Sequence, residues 1–137
     1  VLHLIGVGKT SALATTGYYP IPFTNKIWPL LQAADVVVTR GGLGTLTELG
    51  VLQKAAVVVP IPHSHQEDNA QVLVQAGAAV VLDQSRLTND QFVGTVRQLL
   101  ANEGQRKSLG ENLGQLFVKD AAVKVAREVL RTLNLKS

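Results

Sequence analysis

Two short stretches hold the residues best suited to chemistry. In Arg40-Gly41-Gly42-Leu43-Gly44-Thr45, three glycines fall in four positions between an apolar run and a helix-like segment. Without side chains there, backbone N–H groups can approach a ligand closely, and the helix that follows turns its positive dipole end toward it. That chemistry suits a diphosphate. The same pattern also fits a tight strand-to-helix turn needing positive φ, and spacing alone leaves both readings open. Glu48 stands one helical turn after Thr45. It could accept hydrogen bonds from vicinal hydroxyls, or it could be an ordinary first-turn carboxylate stabilised by the dipole.

The second stretch is Pro60-Ile61-Pro62-His63-Ser64-His65-Gln66-Glu67-Asp68-Asn69. Gln66 and Asn69 are three apart, hence on one helix face, and carry donors and acceptors for hydroxyl groups. His63 and His65 lack a third ligand at a fixed spacing, so a metal site is a weak reading. Glu67 and Asp68 read as helix N-terminal charges. The loop is better suited to a sugar than to a metal, and no cofactor is expected.

Other motifs fail their spacing tests. Gly6-Val7-Gly8-Lys9-Thr10 has the end of a phosphate-binding loop, but His3 stands where its first glycine should be. The Gly-x-Ser-x-Gly elbow of hydrolases does not occur. With no Cys, disulfides and thiolate metal sites are excluded. The net charge of +3 comes without a Lys/Arg run, so nucleic-acid binding along a basic stripe is not expected. No apolar run reaches the roughly 20 residues that span a bilayer.

The elements that must position these loops alternate along the chain. Strands are expected at residues 1–5, 35–39, 56–60 and 79–82, with an irregular extended segment at Tyr18–Phe23 limited to an edge by Pro20 and Pro22. A flexible loop should run from Gly6 to Gly17. Helices are expected at 25–34, 45–52, 66–76 (ended by Gly77), 91–102, 104–116 and 121–133. Leu99, Leu109, Leu113, Leu116, Val125 and Leu130 should be packing residues. Short apolar strands alternating with helices define an α/β fold with a Rossmann-like parallel sheet and flanking helices. In 137 residues this makes one domain, 1–137. The chain opens at Val1 inside a strand-like run, without Met, and is read as part of a longer protein.

Residues Ala34 to Leu49 resemble the donor-site signature of the MurG family, in which a strand ends in Arg-Ser/Ala-Gly-Ala and Thr and Glu follow at the spacing of Thr45 and Glu48. His65-Gln66-Glu67-Asp68-Asn69-Ala70 is similar to that family's His-Gln-x-x-Asn-Ala segment. Ala76-Gly77-Ala78-Ala79 matches the continuation. The resemblance implies the C-terminal domain of a GT-B glycosyltransferase of family 28, incomplete at its N-terminus. It implies UDP-N-acetylglucosamine as donor and a lipid-linked acceptor, lipid I, that becomes lipid II in peptidoglycan synthesis, with no metal at the diphosphate. Carried over by position, Glu48 would hold the ribose hydroxyls. Gly42, Leu43, Gly44 and Thr45 would lie against the diphosphate and sugar. Gln66 would bond the sugar hydroxyls with His65 and Asn69 nearby, and the backbone at Thr24 would read the uracil.

No catalytic residue is expected in this chain, because the acceptor domain with the family's proposed base is absent. The parent would sit in the cytoplasm, peripheral on the inner face of the membrane. Three departures stand out: Gly42-Leu43-Gly44 for Gly-Ala-Leu, Gln53-Lys54-Ala55 for Gly-Lys-Pro, and the absence of the domain's first strand with its Gly-Gly-Ser loop. In the strand order 3-2-1-4-5-6 that strand is central, so self-association to fill its place is an expectation. The alternatives are another UDP-sugar transferase of the same architecture, such as a glycolipid synthase or the soluble subunit of a two-part enzyme, and a non-catalytic nucleotide-binding module.

Overall fold

The computed structural model describes residues 1–11, 15–117 and 120–133. Residues 12–14 of the expected Gly6–Gly17 loop lie outside them. Among the described residues, five strands and six helices follow one another as β1 (Leu2–Leu4), β2 (Tyr19–Ile21), α1 (Ile27–Ala33), β3 (Val36–Thr39), α2 (Leu43–Val51), β4 (Ala55–Val58), α3 (His65–Gln75), β5 (Val80–Val81), α4 (Asn89–Ala101), α5 (Glu103–Gln115) and α6 (Ala121–Thr132). All pairings are parallel, as the alternation requires. They form two sheets, however: β1 with β2, and β3-β4-β5 with β4 in the middle. On the six-strand order these correspond to strands 3-2 and 4-5-6.

β4 shows why an all-apolar run was needed. As the centre of the three-stranded sheet it is buried on both faces. Ala56 and Val58 face a core with Leu31 of α1, Leu46 and Leu49 of α2, Leu73 of α3 and Leu113 of α5. Ala55 and Val57 face the opposite side, against Leu99 of α4 and Leu109 of α5. Strand alternation thus splits four consecutive small residues between two layers of helix. β2 accepts Pro20 because a two-stranded sheet is all edge, and the missing N–H costs no interior bond.

The helix ends follow local chemistry. Thr88 and Gln91 form a reciprocal capping box on α4. Gly77, at φ +58, ends α3 in a Schellman motif, its N–H donating to the Val74 carbonyl and that of Ala78 to the Leu73 carbonyl. Lys54, from the Gln-Lys-Ala departure, reaches back to donate to the carbonyls of Gln32 (2.6 Å) and Ala34 (3.0 Å), neutralising the C-terminal end of α1 just before β3.

The packing list needs correction at its end. Leu99, Leu109 and Leu113 are buried, but Leu116, Val125 and Leu130 are exposed. The reason is that α6 buries none of its residues, although its apolar side chains gather on one face. Among the described residues no helix is long and apolar enough to cross a membrane.

α2 and α5 meet at glycines. A Cβ on Gly110 would stand 2.0 Å from the Gln53 carbonyl oxygen, and one on Gly50 2.4 Å from Phe117 Cδ2. Gly94 in α4 faces open space. Urea unfolding should therefore show Gly110→Ala losing about 3 kcal/mol through forced backbone separation. Gly94→Ala should gain about 0.5–1 kcal/mol from helix propensity alone.

Candidate functional site at the carboxyl rim of the sheet

Because β3, β4 and β5 run parallel, the loops after them leave from one rim. The ladder continues to that rim through Val59 N–H on the Thr39 carbonyl and Leu82 N–H on the Val58 carbonyl, both 2.9 Å. In open α/β sheets this is where ligands bind.

The first loop turns at Gly41. Its φ is +86, and a Cβ there would meet Val58 Cγ1 at 2.8 Å, so conformation and space both demand glycine. Gly42 and Gly44 are different. Gly42 has an ordinary extended backbone (φ −64, ψ 137), Gly44 is helical, and a Cβ on either would touch nothing within 4 Å. The two readings of the glycine cluster thus divide between residues: the tight turn belongs to Gly41, while Gly42 and Gly44 leave bare backbone at the start of α2.

That helix begins at Leu43, two residues before the expected Thr45, because Gly42 takes the N-cap position. Leu43, Gly44 and Thr45 therefore form its first turn. Gly42 has no side chain to cap it, and the turn carries no acidic residue. By contrast α3, α4 and α5 are capped by Ser64, Thr88 and Asn102. The first-turn amides of α2 keep their unsatisfied positive ends. Glu48, one turn on, is half-buried, and its carboxylate has no hydrogen-bond or ion-pair partner among the described residues.

The second loop is stiffened by its own polar groups. Ser64 Oγ donates to the Ile61 carbonyl (2.6 Å) and accepts from Gln66 N–H (3.3 Å). Glu67 accepts from His63 N–H at 2.9 Å, the helix-start role expected of it. Gln66 Oε1 accepts from Ile61 N–H at 3.0 Å. One lone pair of its carbonyl is thereby engaged, and the second lone pair and the Nε2 donors remain for another partner. His65 is fully exposed, 3.7 Å from Asp68.

The two loops are joined. Asn69 Nδ2 donates to the Gly41 carbonyl at 3.0 Å, and a Cβ on Gly41 would lie 3.9 Å from the Gln66 carbonyl oxygen. The starts of α2 and α3 therefore meet at one point of the rim. Arg40 reaches the third loop, donating to Gln84 Oε1. None of these bonds involves Thr24, whose hydroxyl accepts from Lys26 N–H at 3.0 Å at the entry to α1. Two hollows lie elsewhere, one beside Gln53, Gly114 and Phe117, the other beside Leu82, Arg86 and Gln91; neither includes Glu48 or Gln66. Sequence reasoning did not assign Arg40 or the Asn69 bond, since both join positions 28 or more residues apart.

This architecture is that of the C-terminal domain of a GT-B glycosyltransferase, a class defined by solved structures that overlay on it. MurG of Acinetobacter baumannii aligns with a TM-score of 0.72 and 26% identity, covering 83% of this chain and 33% of that one. The glycosyltransferase VinC, solved with dTDP, aligns with a TM-score of 0.73 over 88% of this chain and 30% of its own; at 24% identity it supports the fold alone. The sequence model described as glycosyltransferase family 28 C-terminal domain matches residues 1–125, and the chain belongs to that family. A Crocosphaera subtropica protein named UDP-N-acetylglucosamine--N-acetylmuramyl-(pentapeptide) pyrophosphoryl-undecaprenol N-acetylglucosamine transferase is 37% identical over 93% of this chain. Its Myxococcus xanthus namesake is 42% identical over 77% of this chain. The chain spans 38% and 28% of those relatives' lengths.

In the third loop, Asp83 accepts from the Ser85 hydroxyl (2.7 Å) and backbone N–H (2.9 Å). These bonds, with a smaller push from Arg86, hold its carboxyl below the ordinary carboxylate range. A lowered folded-state value means the contribution is present above the unfolded value and is lost as pH falls through the folded one. In an NMR pH titration, Ser85→Ala should move the Asp83 midpoint upward, toward the usual carboxylate value.

Proposed function

We propose that this chain is the donor-binding domain of a UDP-N-acetylglucosamine transferase acting on a lipid-linked acceptor, the reaction that converts lipid I to lipid II. The observation that carries the reading is the pair of glycines, Gly42 and Gly44, left without packing or conformational need at an uncapped helix start. Glycine in a helix costs about 1 kcal/mol relative to alanine. At Gly44, the helical one of the pair, no contact among the described residues explains it, whereas bare amides facing a diphosphate do. Family membership and the names of the relatives supply the donor and acceptor.

In this reading the amides of Leu43, Gly44 and Thr45 and the α2 dipole receive the diphosphate. Their stabilisation grows as the sugar–phosphate bond breaks and charge gathers on the departing UDP. Glu48, half-buried and unpartnered, accepts from the ribose hydroxyls. Gln66 keeps both Nε2 donors and a second lone pair on Oε1, so it can donate to and accept from the sugar hydroxyls it meets. His65 and Asn69 flank the sugar end, and the backbone at Thr24 reads the base. The acceptor and its base belong to a separate domain, so no catalytic residue is assigned here. The same reading places the protein in the cytoplasm, peripheral on the inner membrane face, with a second copy able to meet the open strand edges.

Calorimetric titration with UDP tests this. The unaltered chain should bind UDP and UDP-N-acetylglucosamine in preference to ADP. Glu48→Ala should weaken UDP binding by about tenfold or more, the equivalent of about 1.4 kcal/mol. Gln66→Glu, which keeps the Ile61 bond but removes the donors, should weaken the nucleotide sugar while leaving UDP itself unchanged. Competition among UDP-sugars of different stereochemistry separates this donor from those of other transferases of the same architecture. Failure of UDP to bind, with Glu48→Ala indistinguishable from the unaltered chain, would favour a non-catalytic module.

A further inference from the structure

We propose that Arg40 is a diphosphate-binding residue of the rim, its guanidinium set across the end of the sheet by Gln84 and left free to meet an anion. The inference rests on the donor-binding reading and adds a charge to it. The amides of α2 offer partial charges, whereas Arg40 brings a full one.

Arg40 is the first residue after β3 and directly precedes Gly41. Its Nη2 donates to Oε1 of Gln84, 44 positions later, in the loop after β5. β4 lies between β3 and β5 in the sheet, and neighbouring strands stand about 4.8 Å apart. A bond from the end of β3 to the loop beyond β5 therefore spans two strand spacings. It carries the guanidinium toward the carboxyl end of β4, the part of an open parallel sheet beyond which ligands lie.

The partner is as informative as the place. Gln84 is neutral, so it orients the guanidinium without cancelling its charge. The bond engages one N–H of a planar fork that can grip phosphate oxygens in pairs. Among the described residues Arg40 forms no ion pair. Asp83, beside Gln84, is turned to Ser85 and lies 3.9 Å from Arg86. Other cations are engaged within the fold: Arg131 pairs with Glu128, and Lys54 and Arg106 serve helix-end carbonyls. Arg40 is exposed, and an amide from a distant loop fixes it before any anion arrives. A cation held ready in this way stabilises negative charge without a reorganisation cost. Two diphosphates meet in the proposed reaction, that of UDP and that of the acceptor, which the relatives' name describes as a pyrophosphoryl-undecaprenol compound.

The test titrates the full chain, followed in ¹H–¹⁵N spectra, with uridine, with UDP, and with inorganic pyrophosphate added to the UDP-saturated chain. If Arg40 meets the donor, Arg40→Gln should weaken UDP about tenfold and leave uridine unchanged. If it meets the acceptor's diphosphate, UDP should be unchanged and pyrophosphate weakened by about the same factor. Gln84→Ala should weaken the same probe by a smaller factor. Added salt should narrow the gap between Arg40→Gln and the unaltered chain. The inference is overturned if Arg40→Gln weakens neither UDP nor pyrophosphate, or if it weakens uridine as much as UDP, the mark of a merely structural role. Gln84→Ala indistinguishable from the unaltered chain would overturn it too. Failure of the unaltered chain to bind UDP removes the donor-binding reading and this inference with it, a result seen before any variant is made.

Discussion

The left-handed turn at Gly41 is the constraint on which the rim depends. It lets β3 stop at Thr39 and α2 begin at Leu43 with only three residues between them. A side chain there would strike Val58, the residue that anchors β4 in the core. The turn is thus pressed onto the buried centre of the sheet, and the helix start it launches inherits that rigidity. At the far end of α2, Gly50 lies against Phe117, and Gln53 just beyond lies against Gly110. Close packing on α5 leaves that end little room to slide. A helix held at its back by steric contact and at its front by a single residue can present its first turn in one orientation.

Stability and binding are divided among the helix starts. Ser64, Thr88 and Asn102 each satisfy a first-turn amide of their own helix. Such caps contribute about 1 kcal/mol each. α2, with Gly42 at its N-cap, lacks that side-chain bond and carries two glycines, Gly44 and Gly50, as well. Its own helix propensity would not hold it; burial of Leu46 and Leu49 does. The core therefore supports a helix whose beginning remains free for a partner. Glu48 fits the same account, since a half-buried carboxylate without an internal partner is also an acceptor left available.

Much of this was legible in the sequence, and for local reasons. Strand cores of Val and Ala, the Gly77 stop and the Thr88 cap are each settled within a few residues, and they appeared where periodicity placed them. The meeting of the two loops followed from parallel pairing, since successive parallel strands must end at one rim. What escaped was non-local. The bond from Asn69 to the Gly41 carbonyl is one case, because residue type and spacing cannot show a contact across 28 positions. The α2 start shifted from Thr45 to Leu43 because Gly42, not a polar residue, serves as N-cap. The apolar spacing of α6 predicted burial, yet burial needs a partner surface, and among the described residues none buries Val125 or Leu130.

The division of the strands into two sheets bears on the same point. β3 has the composition of an interior strand, three consecutive valines, yet it lies at an edge with Val38 exposed. An apolar edge with unpaired backbone groups is a template for a further strand. β1 is likewise exposed along its length. The rim built by β3, β4 and β5 is nevertheless tied within that sheet and its helices, its two helix starts joined through Gly41, Asn69 and Val58. The grip proposed for the nucleotide is therefore assembled within the three-stranded unit. A strand added at the β3 edge would extend the surface around it without having to create its central contacts.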